Sequence, residues 1–358
     1  MEPEKMMAIV KTKKERGAEY KEVPMPEPGP EDVLVRVHAA AICGTDIHIY
    51  QWNKWAQENF ERSFSKIPRI MGHEFSGEIV QTGELVKNVQ VGQRVACETH
   101  IPCGHCYQCR TGDTYNCLNI TRFKDGIYAD YAVVPAKNLV ILPDTMTYDQ
   151  AAVMEPFSVA THGASMVRMV GDTVMVMGCG PIGLFVIKVA KAMGASYIYA
   201  SDISGYRRNL ALESGAAETF DPSQCDVVKE VKMRTEGLGC GTVFDTSGNV
   251  EAINQGFKIL RKCGSMVMIG LPSRTLSFED AGNDIVWKAA KIYGIHGREI
   301  LTSWEISKGL IGSGAVNIDH LLTHRFKFSE YQSAFELAEK GMTGKVILYP
   351  DRICESGE

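Results

Sequence analysis

A glycine-rich turn between an apolar strand and a helix constrains this chain more than any other feature of its sequence. The strand TVMVM begins at residue 173, enters the turn GCGPIG and continues into the helical run PIGLFVIKVAKAMG. The spacing G-x-G-x-x-G in a strand–turn–helix setting is typical of a doubly wound parallel sheet. Gly178 permits the tight turn, Gly180 lets backbone N–H groups approach a ligand, and Gly183 lets the helix pack closely on the strand. The sequence therefore predicts an α/β domain around this turn.

The same turn predicts a dinucleotide site, because unpaired N–H groups at the start of a helix bind phosphate. The residues expected to hold the pyrophosphate are Gly178, Gly180, Pro181, Ile182 and Gly183. Asp202 ends the second strand, YIYASD, and a carboxylate there accepts ribose hydroxyls and repels a 2′-phosphate. This favours NAD over NADP, although the neighbouring Arg207 and Arg208 could accommodate a phosphate.

The pattern of predicted secondary structure changes near Thr173. Short β-branched runs such as DVLVRVHAAAI and YADYAVVP fill residues 1–150, separated by Gly, Pro, Asn and Asp. After residue 173, strands alternate with helices, as in YIYASD, YRRNLALESG and TVFDTSG, and this alternation predicts a parallel sheet. A chain of 358 residues exceeds one ordinary core, so we expect a β-rich domain followed by an α/β domain.

Four cysteines close together indicate a metal site. Their spacing is C-x2-C-x2-C-x7-C, formed by Cys103, Cys106, Cys109 and Cys117. Four thiolates suit tetrahedral zinc and leave no position for a substrate, so this zinc would be structural. An iron–sulfur cluster is the alternative, but the bacterial ferredoxin run ends in C-x3-C-P, whereas Leu118 follows the last cysteine here.

A catalytic zinc requires three protein ligands and an open position. Outside the four-cysteine cluster, the sequence offers Cys43 in AICGTDIHIY, His73 and Glu74 in GHE, and Glu155 in MEPFS. Residue type alone leaves two interpretations open. These scattered residues either assemble a second zinc site or are a buried cysteine and ordinary polar groups.

The combination of CGTDIH, GHE, a four-cysteine lobe and a later glycine turn resembles the zinc-dependent medium-chain alcohol dehydrogenase superfamily. The resemblance covers essentially the whole chain, and within the superfamily the sequence is most similar to the L-threonine 3-dehydrogenase family. The stretches that carry it are ICGTDIHIYQWNKWAQ, ETHIPCGHCYQCR, GCGPIGL, IHGREILTSWE and THRFKFSEYQSAFELAEKGMTGKVIL. It implies a GroES-like β-rich catalytic domain and a Rossmann NAD-binding domain with a doubly wound parallel sheet. The implied bounds are 1–156 for the catalytic domain, with a structural zinc lobe at about 97–120, 157–299 for the NAD-binding domain, and 300–358 for a return to the catalytic domain.

The resemblance also assigns roles at the catalytic zinc. Cys43, His73 and Glu155 match ligand positions of the family, and Glu74 is expected to ligate the metal or orient a water. Thr45 and His48 match a proton relay. His100 is a candidate for lining the substrate pocket, and the matching cofactor contacts are Asp202, Arg207 and Arg298.

The implied protein is an NAD-dependent enzyme with two zinc ions per subunit, one catalytic and one structural. Its implied reaction is oxidation of a secondary alcohol by hydride transfer to NAD, with L-threonine giving 2-amino-3-oxobutanoate. The stretch EPFSVATHG is more similar to sorbitol and butanediol dehydrogenases, so a polyol dehydrogenase remains an alternative. A non-catalytic zinc- and NAD-binding protein is the alternative from another class.

The net charge and the hydropathy of the sequence limit which kinds of partner the protein can have. The net charge is -5, which argues against a nucleic-acid backbone as partner. The longest apolar run, VMVMGCGPIGLFVI, is too short and too interrupted to cross a bilayer, and MEPEKMMAIV lacks the apolar core of a signal peptide. We therefore expect a cytoplasmic protein that acts on a small-molecule alcohol and binds neither nucleic acid nor membrane. The resemblance adds the expectation of a homotetramer.

Overall fold

The computed structural model describes residues 4–63, 67–120, 122–123 and 126–352. The strands are β1 (Lys5–Lys11), β2 (Glu19–Pro24), β3 (Asp32–Ala41), β4 (Arg69–Ile70), β5 (Glu74–Thr82), β6 (Arg94–Cys97), β7 (His100–Ile101), β8 (Arg122–Phe123), β9 (Tyr131–Pro135), β10 (Leu139–Ile141), β11 (Thr173–Met177), β12 (Tyr197–Ser201), β13 (Glu218–Phe220), β14 (Cys240–Asp245), β15 (Leu260–Met268), β16 (Lys291–Gly294), β17 (Leu322–Lys327) and β18 (Lys345–Tyr349). The α-helices are α1 (Gly44–Gln51), α2 (Lys54–Ser63), α3 (Tyr107–Thr111), α4 (Tyr148–Ala152), α5 (Met154–Ser165), α6 (Pro181–Ala192), α7 (Gly205–Ser214), α8 (Val227–Arg234), α9 (Val250–Ile259), α10 (Thr302–Gly312) and α11 (Tyr331–Glu339). Within this described part of the chain, no helix combines the length and apolarity that crossing a membrane requires.

The chain divides into two compact units. Unit 1 contains Met1–Glu155, Glu299–Lys308 and Leu322–Glu358, and unit 2 contains Pro156–Arg298 and Gly309–Leu321. The chain therefore leaves unit 1 for unit 2 and returns to it twice near the C-terminus.

Unit 1 is built around a mainly antiparallel sheet with the strand order β10-β6-β5-β3-β18-β17, in which β9 also pairs with β3. The central strand β3 has an apolar sequence, DVLVRVHAAA, and most of its residues are buried. Near its end, Ala41 is paired with Glu74 of β5 on one side and with Ile347 of β18 on the other. This register brings three segments from distant parts of the sequence to one end of the sheet.

Unit 2 contains a six-stranded sheet with the order β13-β12-β11-β14-β15-β16, and every neighbouring pair is parallel. This is the doubly wound order of dinucleotide-binding folds. Gly178 has φ +96°, a backbone conformation that favours glycine, and a Cβ on Gly183 would lie 2.0 Å from the Gly178 carbonyl oxygen. The glycines therefore have the steric roles that the sequence predicted, and the predicted fold class is confirmed.

Two candidate metal centres and a dinucleotide cavity

The four cysteines of the 103–117 stretch form one compact cluster in unit 1. Their sulfurs all lie within 4.8 Å of one another. The sulfur of Cys106 lies 3.5 Å from that of Cys109 and 3.8 Å from that of Cys117. Zinc–sulfur bonds of about 2.3 Å in a tetrahedron place the sulfurs about 3.8 Å apart, so the cluster fits a closed zinc site. A backbone N–H from Cys109 lowers the pKa of the Cys106 thiol to about 6, whereas burial raises the pKa of the Cys109 thiol, so Cys106 is the one of this pair that more readily supplies the thiolate that zinc requires.

A second cluster joins Cys43, His73 and Glu74, whose ligand atoms also lie within 4.8 Å of one another. His73 and Glu74 are buried, and Cys43 is half-buried. The sheet assembles this group because Cys43 follows the end of β3, and Glu74 begins β5 opposite Ala41. Sulfur, imidazole and carboxylate ligands are a typical zinc set.

Asp46, in the first turn of α1, orders the ligands of the second cluster. Its buried carboxylate lies 3.5 Å from His73 Nδ1 and accepts a hydrogen bond of 3.1 Å from the Cys43 amide. A carboxylate on one ring nitrogen of a histidine orients the other nitrogen toward a metal. Burial opposes the charged form of His73, but Asp46 and the Cys43 sulfur outweigh it and raise the pKa of the ring. The same negative neighbours favour a divalent cation.

Glu74 is held by Lys345, a buried lysine on β18. The Lys345 ammonium contacts Glu74 Oε2 and donates a 2.8 Å hydrogen bond to the Ile42 carbonyl oxygen. The other carboxylate oxygen, Oε1, is buried and has no hydrogen-bond partner among the residues that the structure describes. Burial raises the pKa of Glu74 to about 6 against the lowering effect of Lys345. A buried oxygen without a partner, beside a thiol and an imidazole, fits a metal ligand.

Glu155, the predicted third ligand, lies outside the group of described residues whose ligand atoms converge within 4.8 Å. It is buried at the start of α5, and its negative charge raises the pKa of both Glu74 and Lys345. The structure thus brings Glu74 into the ligand group and keeps Glu155 within electrostatic range of it.

The two predicted relay residues lie on α1. The Thr45 hydroxyl is buried and has no hydrogen-bond partner within the described ranges. His48 Nδ1 lies 2.6 Å from the side-chain amide nitrogen of Asn53. The amide orientation is fixed by a second bond, because Asn53 Oδ1 accepts from the Ala56 N–H at 3.2 Å. His48 Nδ1 is therefore an acceptor and Nε2 carries the proton, while burial lowers the pKa of the ring.

His100, the predicted pocket residue, is buried in the short strand β7. Its backbone N–H donates to the Glu98 carboxylate at 2.7 Å, and the Trp304 indole donates to the same carboxylate at 2.6 Å. The Asn138 amide donates to the carbonyl oxygens of Glu98 and His100, each at 2.8 Å. His100 therefore lies in a rigid buried network.

Unit 2 contains a cavity of about 620 Å³ at the carboxyl ends of its central strands. Four predicted cofactor residues are among those that line it: Gly178, Gly180, Asp202 and Arg207. A Cβ on Gly180 would meet no atom within 4 Å, so a ligand can approach this backbone closely. Pro181, Ile182 and Gly183 form the first turn of α6 directly after it. The cavity has the position and the glycine-lined wall that a dinucleotide requires.

The Asp202 carboxylate closes one side of this cavity. It accepts 2.8 Å hydrogen bonds from the N–H groups of Cys179 and Ser204, which fix its position against the glycine turn. Arg208 forms an ion pair with Asp221 at 2.9 Å. Arg207 lines the cavity, and its buried Nε has no hydrogen-bond partner in the part of the chain that the structure describes. Arg298 is buried and is the last residue of the first segment of unit 2.

Sequence reasoning missed three residues of the second cluster's surroundings. Asp46 lies inside the quoted motif CGTDIH and could have been found, since an acidic residue three positions after the N-cap of a helix, here Cys43, is a capping signal. Tyr128, whose hydroxyl reaches Asp46, and Lys345 carry no local signal. Their roles depend on strand pairing.

Comparison with known proteins decides the family. Residues 29–144 match the family model "Alcohol dehydrogenase GroES-like domain", and residues 181–309 match "Zinc-binding dehydrogenase". The L-threonine 3-dehydrogenase of Pyrococcus furiosus is 43% identical over 348 residues, which cover 96% of this chain and 98% of that protein. The chain belongs to the zinc-binding dehydrogenases.

Solved structures of other zinc-type dehydrogenases have the same fold. The 2R,3R-butanediol dehydrogenase of Bacillus subtilis has a TM-score of 0.85 at 30% identity, covering 97% of this chain and 100% of that one. A zinc-binding dehydrogenase of Sinorhizobium meliloti bound to NADP has a TM-score of 0.85 at 29% identity, with the same coverage. These comparisons confirm the predicted superfamily, and membership of the zinc-binding dehydrogenases agrees with the two clusters described above.

Proposed function

We propose that this zinc-binding dehydrogenase is an NAD-dependent L-threonine 3-dehydrogenase that oxidises L-threonine to 2-amino-3-oxobutanoate. The metal chemistry is supported by the Cys43–His73–Glu74 cluster, whose carboxylate presents a buried oxygen without a partner among the described residues. The choice of substrate is carried by one observation, the 43% identity over 96% of the chain to a relative named for that reaction.

Zinc and NAD, when bound, would supply a Lewis acid and a hydride acceptor. In our proposal Cys43, His73 and Glu74 hold the metal, and Glu155 is a further ligand or a charge that tunes it. The Thr45 hydroxyl both donates and accepts, so it can receive the substrate proton and pass it toward His48 and solvent. Asn53 holds the His48 ring by donating to Nδ1, so a proton can be taken up there only when this hydrogen bond opens, and burial lowers the pKa of the ring and favours its neutral form.

The cofactor proposal rests on the cavity of unit 2. Asp202 is fixed where it can accept the adenosine ribose hydroxyls, and its charge disfavours a 2′-phosphate, so we propose NAD as the preferred cofactor. Arg207 and Arg298 are proposed to contact the cofactor, and His100 is proposed to line the substrate pocket. The domain bounds given above, a cytoplasmic location and a homotetramer belong to the same proposal.

A substrate panel tests this function directly. Purified protein with zinc and NAD is given L-threonine, 2R,3R-butanediol, sorbitol or galactitol, and NADH absorbance is followed. We expect turnover of L-threonine with the highest kcat/KM. Cys43→Ser should abolish it while leaving NAD binding by calorimetry nearly unchanged, and the matched control Cys263→Ser, at an exposed thiol, should retain activity.

A polyol or butanediol dehydrogenase is the second candidate. It is favoured by the sequence EPFSV after Met154 and by the 30% identity to the butanediol enzyme. Turnover of a diol with none of threonine would establish this candidate and refute the first. Inactivity toward every alcohol, with NAD and zinc bound, would favour the non-catalytic alternative.

A further inference from the structure

Tyr128 is a fully buried tyrosine of unit 1 that the proposed reaction does not use. Its hydroxyl lies 2.7 Å from Asp46 Oδ2 and 2.9 Å from the Ala41 carbonyl oxygen. A phenol has one proton to donate, and the carboxylate is the stronger acceptor because the hydrogen bond is charge-assisted. Burial, followed by the charge of Asp46, raises the pKa of Tyr128 well above its ordinary value, so the phenol remains a donor.

The acceptor of this hydrogen bond is connected to two metal ligands. The same Asp46 oxygen, Oδ2, accepts from the Cys43 amide, and Oδ1 faces His73 Nδ1. The Tyr128 hydroxyl therefore fixes the carboxylate that in turn fixes the sulfur-bearing residue and the imidazole.

The ring of Tyr128 supports a third part of the site. A Cβ on Gly72 would lie 2.2 Å from the ring, so the ring packs directly on the backbone that precedes His73. Gly72 has φ +87°, and the Tyr128 N–H donates to the Met71 carbonyl oxygen at 2.9 Å. Phe328, with its ring centroid 6.2 Å away, packs near the same ring. The ring and the hydroxyl thus act on the same ligand from two directions.

We propose that Tyr128 is a positioning residue for the catalytic metal. Its hydroxyl holds Asp46 in the orientation that directs His73, and its ring packs against the Gly72–His73 backbone and fixes the position of that backbone. This inference rests on the proposed metal site at Cys43, His73 and Glu74. Residues that orient metal ligands through hydrogen bonds are worth roughly tenfold to a hundredfold in metal affinity.

Tyr128→Phe removes the hydroxyl and keeps the ring. The matched control is Tyr331→Phe, because Tyr331 is buried in the same hydrophobic core and its hydroxyl donates to the Ala18 carbonyl oxygen at 2.6 Å. Zinc affinity is measured by competition with a chromophoric chelator on the full chain. We expect about tenfold weaker binding of the second zinc in Tyr128→Phe. The zinc of the four-cysteine site and both zincs of Tyr331→Phe should keep wild-type affinity.

A double-mutant cycle with Asp46→Asn tests whether the Tyr128 hydroxyl affects zinc affinity through Asp46. Asp46→Asn also gives a second variant if Tyr128→Phe folds poorly. If the hydroxyl acts through Asp46, then Asp46→Asn alone weakens the second zinc, and adding Tyr128→Phe to it weakens binding by less than twofold further. Unchanged zinc affinity in Tyr128→Phe, an equal loss in Tyr331→Phe, or a full tenfold loss in the Asp46→Asn background would overturn the inference.

The wild-type measurement separates this inference from the proposed function. Two zinc ions per wild-type chain, one of which Cys43→Ser removes, establish the metal site. If the wild type binds only the zinc of the four-cysteine cluster, the proposed site itself fails. If it binds two and Tyr128→Phe leaves both unchanged, only the inference fails.

Discussion

Replacing Lys345 by methionine should destabilise unit 1, and more strongly when the catalytic metal is missing. Lys345 is 2% exposed and contacts the fully buried Glu74. Methionine has a similar volume and no charge, so the substitution leaves a buried carboxylate without its counter-ion. The Ile42 carbonyl oxygen also loses the hydrogen bond that Lys345 donates.

Breaking a buried ion pair by removing one partner costs about 3–5 kcal/mol in the free energy of unfolding. For a unit of this size, 1 kcal/mol corresponds to about 2–4 °C in the unfolding midpoint, so a loss of roughly 10 °C is expected. A bound divalent cation would compensate the Glu74 charge. In a Cys43→Ser background, which lacks the metal, Lys345→Met should therefore lower the free energy of unfolding by about 5 kcal/mol. In the zinc-loaded chain the same substitution should cost less.

The assay is thermal and urea unfolding of four proteins: the wild type, Lys345→Met, Cys43→Ser and the double variant. Lys5→Met is the matched control, because the Lys5–Glu22 pair spans 3.4 Å with both side chains more than half exposed, and it should cost less than about 1 kcal/mol. A second check is Lys345→Met with Glu74→Gln, which removes both charges and should recover part of the stability. Equal losses in Lys345→Met and Lys5→Met, or a loss that is the same with and without Cys43, would refute the reasoning.

Three further predictions concern the other sites. Cys106→Ser should lower the unfolding midpoint and release one zinc before it changes KM, because its sulfur completes a closed site; a change in KM without loss of zinc would contradict this. Asp202→Gly should weaken NAD binding and improve NADP binding, measured by calorimetry, and an unchanged preference would count against the role of this carboxylate. Asn53→Asp should raise the pKa of His48 and move the acidic limb of the pH–rate profile upward by about one unit, because the new carboxylate favours the imidazolium. The control Gln57→Glu adds the same charge on the exposed side of α2 and should leave that limb in place.

The sequence was most informative where function depends on residues close together in the chain. The glycine turn and the four cysteines each occupy one short stretch, so spacing alone predicted a dinucleotide fold and a closed zinc site. Cys43 is distant in sequence from the adjacent pair His73 and Glu74, so residue type offered them only as candidates, and the resemblance to a family assigned them to a zinc site.

The surroundings of the second metal cluster could not be predicted in this way. Tyr128 and Asp46 are 82 positions apart, and Lys345 and Glu74 are 271 positions apart. Lys345 and Glu74 are brought together by the register of β3 with β5 and β18, and Tyr128 is placed by its backbone hydrogen bonds to Ile9 and Met71. Neither depends on a local sequence pattern. The inclusion of Gly309–Leu321 in unit 2 is likewise a property of packing that composition did not reveal.

The position of β18 after the other strands of its sheet in the sequence has a consequence for biosynthesis. A ribosome releases the N-terminal residues first, and domains generally fold as units while synthesis continues. Cys43, His73 and Glu74 are made first, and the ammonium that balances Glu74 belongs to Lys345, which is made 271 residues after Glu74. Until that strand pairs with β3, the nascent site holds an unbalanced carboxylate beside a thiol. A chain truncated before Lys345 therefore lacks the strand that pairs with β3 beside the cluster, and it should hold the second metal poorly because this end of the sheet is incomplete.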